Sequence, residues 1–167
     1  QYADYAYWQR QQGTTLARQL DYWQSQLFAL PVVHDLPLDF ARPAQQSFNG
    51  NSVEFLCSAA SSTKLTQLCR SAGATLFIGL HAAFSVLLAR RSNATDIVIG
   101  SPIANREQRA VVDLIGFFVN MLVLRSDLSA NPTFIELLAQ SKRVLIGAYS
   151  HQQLPFEHLV DHLQPQR

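Results

Sequence analysis

The sequence has few cysteines, a single methionine and no surplus of either charge. Its two cysteines, Cys57 and Cys69, stand too far apart for a Cys-x-x-Cys redox pair and are too few for a zinc site. Both are expected to be buried, inert thiols. Thirteen Lys and Arg against twelve Asp and Glu leave a formal net charge of +1, which gives neither nucleic acid nor an anionic membrane an electrostatic hold. The adjacent basic pairs, Arg90-Arg91 and Lys142-Arg143, read as solvated helix ends. Apolar runs are broken by Arg, His or Asn before the ~18 residues that a membrane span needs, and no signal peptide is expected. With so little cysteine, a cytoplasmic, reducing compartment is expected. Also missing are a Gly-x-Ser-x-Gly elbow, a glycine-rich phosphate loop and a paired-carboxylate signature. Chemistry-bearing motifs alone therefore name no reaction.

What is present is ordinary globular composition. The 167 residues are 48% apolar and 15% charged, enough for one domain with a hydrophobic core. Both ends read as cut: the chain opens on an aromatic, helix-like stretch and closes on "LQPQR" without a sealing element. A piece of a larger fold is the expectation.

Residues 2–11 and 14–27 read as helices separated by Gly13, the second with an apolar stripe of Leu16, Leu20, Trp23 and Leu27. Residues 31–50 carry Pro31, Pro37, Pro43 and Gly50 and follow neither helical nor strand period. So long a connection suggests a crossing between two structural halves, with Leu36, Leu38 and Phe48 lying against a surface. "NSVEFLCS" predicts a short strand with Val53, Phe55 and Cys57 on one face. Ser61 or Ser62 is expected to cap a helix through Arg70, stopped by Gly73. Thr75 is expected to cap a central helix to about Arg90, buried along Leu76, Leu80, Phe84, Leu87 and Leu88. "DIVIGSP" predicts a strand buried on both faces, and "FFVNMLVLRSDL" another strand. Helices are expected from Thr133 to about Tyr149 and, short and beginning near Pro155, along Phe156, Leu159, Val160 and Leu163. The fold class is α/β: a thin mixed sheet of three strands with packed helices, short of neighbours.

Of the five histidines, His81 lies mid-helix and reads as a satisfied core or boundary residue. His158 and His162 share a helical face at metal-ligand spacing, but no Cys or carboxylate cluster completes a site. His34 beside Asp35 proves nothing alone.

Four stretches resemble, in order, the core motifs of condensation domains of nonribosomal peptide synthetases. They are "YADYAYWQR" from residue 2, "DLPLDFARPAQQSFNG" from 35, "IGSPIANREQRAVVDLIGFFVNMLVLR" from 99 and "YSHQQLPFEHLV" from 149. The resemblance implies a partial chloramphenicol acetyltransferase-like fold, with residues 1–50 ending the N-terminal lobe and crossing over, and residues 51–167 forming a truncated C-terminal lobe. It further implies amide formation between a carrier-bound donor acyl or peptidyl thioester and an acceptor aminoacyl amine. Phosphopantetheine arms of carrier proteins would bring both, and an adenylation domain and the rest of the condensation domain would be partners.

The family's His-His-x-x-x-Asp-Gly, whose second histidine orients or deprotonates the amine, has no counterpart here, since the chain holds no His-His and no Asp-Gly. The resemblance therefore implies no catalytic residue, metal or directly bound cofactor in this chain. Three supporting positions are carried over. Arg106 matches the arginine of the family's Gly-Arg, with Asn105 in place of the glycine. Asn120 matches the asparagine of Phe-Val-Asn, as a pin of its strand near the substrate tunnel that the family's two lobes enclose, or as a substrate contact, with Met121 where threonine is common. His151 begins a stretch like the family's His-Gln-x-x-Pro-Phe-Glu. Asp4 and Trp8, one helical turn apart, read as capping and packing groups. The alternatives are an epimerase-type or ester-forming relative, and a silent module that docks carrier proteins.

Overall fold

The computed structural model describes residues 1–31, 33–45 and 47–164. Among the described residues six α-helices and two strands follow in order: α1 (Tyr2–Arg10), α2 (Gly13–Gln26), α3 (Ala59–Ser71), α4 (Leu76–Ser92), β1 (Asp96–Ile103), β2 (Asn120–Asp127), α5 (Phe134–Ser150) and α6 (Phe156–Leu163), with a 3-10 turn at Arg109–Val111. No single helix among the described residues is long and apolar enough to cross a membrane.

The helix starts have chemical causes. Thr75 and Thr133 accept from the backbone N–H of Ile78 and Glu136. Glu136 returns the bond to the N–H of Thr133 at 2.8 Å, a reciprocal box that satisfies two otherwise orphaned donors. That bond holds the Glu136 carboxyl below the usual carboxylate range. Ser58, not Ser61 or Ser62, caps α3, because only it adopts the extended backbone that aims a hydroxyl at the first turn.

β1 and β2 form one antiparallel pair, with Ile103 opposite Asn120 and Asp96 opposite Asp127. Leu122, Leu124 and Ser126 of β2 are buried, and the sheet packs on α4 and α5. Trp23 and Leu27 at the end of α2 enter the same core as Leu122, Leu138 and Leu159, so α2 shares one interior with the sheet. Truncating a fully buried leucine such as Leu138 costs about 2–5 kcal/mol.

Several expectations fail. Residues 51–57 form no strand: Val53 and Phe55 are 88% and 83% exposed, and alternation cannot make a strand without a pairing edge. Among the described residues the sheet therefore has two strands, not three. β1 buries only Ile97 fully, because no helix layer covers its second face as one covers a parallel sheet. In α4 the leucine stripe faces outward, with Leu76, Leu80, Phe84 and Leu87 exposed, while Ile78, Gly79, His81, Ala82 and Ser85 face inward. Close packing selects the slimmer side: a Cβ on Gly79 would collide with Cys69 Sγ. In the crossing segment Leu36 is half-buried, but Leu38 and Phe48 are exposed. Cys69 is buried as expected, whereas Cys57 is exposed.

Candidate functional site

Three buried polar residues, Gln19, Asn120 and Gln152, gather at the turn between α5 and α6. Asn120 opens β2 from a buried position. Its Nδ2 donates to the carbonyls of Gln152 at 2.9 Å and Leu154 at 2.8 Å, and its Oδ1 accepts from the N–H of Phe156 at 2.9 Å. One amide thus satisfies three backbone groups of a turn that has no ladder of its own. Pro155, expected as the first helical residue, is the N-cap of α6; its neighbour Phe156 supplies the N–H that Asn120 binds.

α2 grips the same turn from the other side. Buried Gln19 accepts from the N–H of Leu154 at 2.9 Å, and the Trp23 indole donates to the His151 carbonyl at 2.8 Å. The His151 ring lies parallel to Tyr22, centroids 3.8 Å apart, and its Nδ1 pairs with the Gly147 carbonyl at 2.8 Å, which makes Nδ1 the donor. A Cβ on Gly147 would collide with the Tyr22 hydroxyl, so glycine lets α2 approach α5. Gln152 in turn donates to Glu107. Gln19, Tyr22, Gln152 and Glu107 escaped sequence reasoning; the available signal was Gln19 four residues before Trp23, on the flank of an apolar stripe.

Arg106 organises the loop between the strands. Its Nη1 donates to the carbonyls of Val111 at 2.6 Å, Leu114 at 2.7 Å and Val112 at 3.3 Å. Its guanidinium carbon sits 4.3 Å from the Phe118 ring centroid. Asn105 adopts φ 51°, the left-handed region that Asn tolerates better than most residues, and donates to the Tyr5 hydroxyl at 3.2 Å. Tyr5 and Tyr2 both pack edge-on against Phe118, while Trp8 stands next to Tyr5. Asp4 accepts from the N-cap nitrogen of α1. Arg106, Asn120 and His151 do not meet at one reacting point: Asn120 and His151 share the turn, and Arg106 braces the loop that precedes β2.

One pair of residues could invite a nucleophile reading. His81 Nδ1 lies 3.1 Å from Ser141 Oγ, but Ser141 is fully buried and His81 is 6% exposed, so no substrate reaches them. Among the described residues His81 Nε2 has no partner, and burial pushes the imidazole below the usual histidine range. His158 and His162 are exposed, and among the described residues no three His, Cys, Asp or Glu side chains gather for a metal.

The family model for the condensation domain matches residues 1–167. This chain belongs to the condensation-domain family. It is 49% identical over its whole length to a linear gramicidin synthase polypeptide of Brevibacillus parabrevis, of which it spans 3%. It is 42% identical to the dimodular nonribosomal peptide synthase of Bacillus subtilis strain 168, of which it spans 7%. Among solved structures, the X-domain from teicoplanin biosynthesis superposes over the full chain with a TM-score of 0.93 at 31% identity, the match spanning 39% of that chain. The holo-AB3403 four-domain nonribosomal peptide synthetase superposes over 89% of this chain and 11% of its own, with a TM-score of 0.86 at 34% identity. The fold is thus part of that of condensation domains, mixed α/β and chloramphenicol acetyltransferase-like.

Proposed function

We propose that this chain supplies the acceptor-side wall of a condensation domain that forms an amide between a carrier-bound donor acyl or peptidyl thioester and an acceptor aminoacyl amine. The observation that carries this reading is similarity to peptide synthetases along the whole chain, at 49% identity for the linear gramicidin synthase polypeptide. Arg106, Asn120 and His151 are its supporting residues: they hold loop, strand and turn in fixed relation. Catalysis requires a positioned acid-base group, and the sequence holds no His-His-x-x-x-Asp-Gly. The imidazole that handles the amine belongs to residues outside these. Phosphopantetheine arms arrive with the substrates on carrier proteins, in a cytoplasmic synthetase with an adjoining adenylation domain. The passage between lobes runs through the exposed crossing segment.

A second reading, a silent docking module, draws on the X-domain likeness, since a teicoplanin X-domain was solved in complex with OxyB. One experiment separates them. Two carrier-tethered aminoacyl thioesters are offered to the 167-residue chain and to the whole synthetase, and products are read by mass spectrometry. No amide from the chain alone and amide from the synthetase are expected. Amide formed by the chain alone would overturn the division of labour; a synthetase that loads both carriers but never joins them would favour docking.

A further inference from the structure

The exit from α2 is a strained turn. Ala29 has φ 52°, a left-handed conformation that costs a residue with a Cβ about 1–2 kcal/mol, and such a conformation persists only where surroundings over-determine it. Arg125 supplies the determination. Its Nη1 donates to the carbonyls of Gln26 at 3.1 Å and Phe28 at 2.8 Å. Its Nε and Nη2 hold both oxygens of Asp96 at 2.9 and 2.7 Å. Asp96 reaches it diagonally across the strands, because its direct partner is Asp127 and Arg125 stands opposite Val98. One planar guanidinium therefore ties a carboxylate on β1 to two carbonyls at the end of α2. Leu27, Phe28 and Leu30 of that turn form one lip of an apolar groove of about 630 Å³, with Met121 on its floor and Phe156 and Leu163 on the opposite lip.

We propose that Arg125 is a positioning residue: with Asp96 it clamps the strained turn after α2, fixing the near lip of this groove and the direction in which the crossing segment departs. This extends the wall assigned above but stands on geometry alone, and its test needs no condensation activity. Arg differs from Lys here in kind, since only a rigid fork can serve a carboxylate and two carbonyls together.

The test is hydrogen exchange on the full chain, read at the amides of Leu27 and Leu30, which bond to the carbonyls of Trp23 and Leu27. Arg125→Gln and Arg125→Lys should both speed exchange there by about tenfold or more, the scale of one lost charge-assisted hydrogen bond, with β2 and α5 unchanged. Asp96→Asn should act at the same two amides, more weakly, and serves if Arg125→Gln does not fold. Full protection in Arg125→Lys would reduce the role to charge and overturn the clamp. So would unaltered exchange at Leu27 and Leu30 in Asp96→Asn and Arg125→Lys, or acceleration spread evenly over the core.

Discussion

Residues 151–155, between α5 and α6, and residues 33–45 and 47–57 of the connection between α2 and α3 both lack regular structure, yet they are built in opposite ways. In the short turn, Leu154 and Gln152 are buried, and backbone groups of His151, Gln152, Leu154 and Phe156 bond to side chains from β2 and α2. In the long connection, Phe48, Phe55 and Leu56 stand 92%, 83% and 100% exposed, and water can serve the backbone. The difference shows what irregular backbone needs once it leaves solvent. A buried turn must import donors and acceptors, and amides do it best because one group offers both.

The largest expected effect breaks the first half of that contrast. Asn120→Ala removes a donor shared by two carbonyls and the acceptor for the Phe156 N–H, with an expected loss of about 3–5 kcal/mol, read as a lowered urea midpoint. A midpoint within error of the parent would mean that water replaces the amide.

A smaller effect comes from His81, whose ring is buried with one nitrogen bonded to Ser141 and the other unpaired among the described residues. His81 is held neutral in the folded chain because burial lowers its pKa from the ordinary 6.5. The unfolded chain binds the proton more readily, so stability is flat above about pH 6.5 and falls as the pH drops below it toward the folded value. Urea midpoints taken from pH 7.5 to 5 should fall less steeply in His81→Gln than in the parent; parallel slopes would exclude His81 as the source. The smallest effect belongs to the exposed connection: Phe55→Ser should shift stability by no more than about 0.5 kcal/mol, and a larger loss would show that this segment packs where the fold gives it no neighbour.

Elements with a local cause were legible before the structure. Thr75, Thr133 and the Leu16, Leu20, Trp23, Leu27 stripe announce their helices, since capping and 3.6-residue periodicity act within one element. What failed depended on partners. "NSVEFLCS" alternates like a strand but meets no edge, and α4 is apolar on nearly every side, so its periodicity does not say which face goes inward. That choice fell to Gly79, Ala82 and Ser85, whose small size admits neighbouring helices. The resemblance pointed to Asn120 and His151 and spanned Gln152 without giving it a role, whereas Gln19 is a common surface type whose burial becomes visible only when the turn folds against α2.

The openness of residues 33–45 and 47–57 has a consequence for durability. A protease entering there would sever the polypeptide almost without touching its interior. The Trp23 indole, the Gln19 amide and the Arg125 guanidinium would still fasten the severed N-terminal piece to the remainder, and the nicked molecule would travel as one particle.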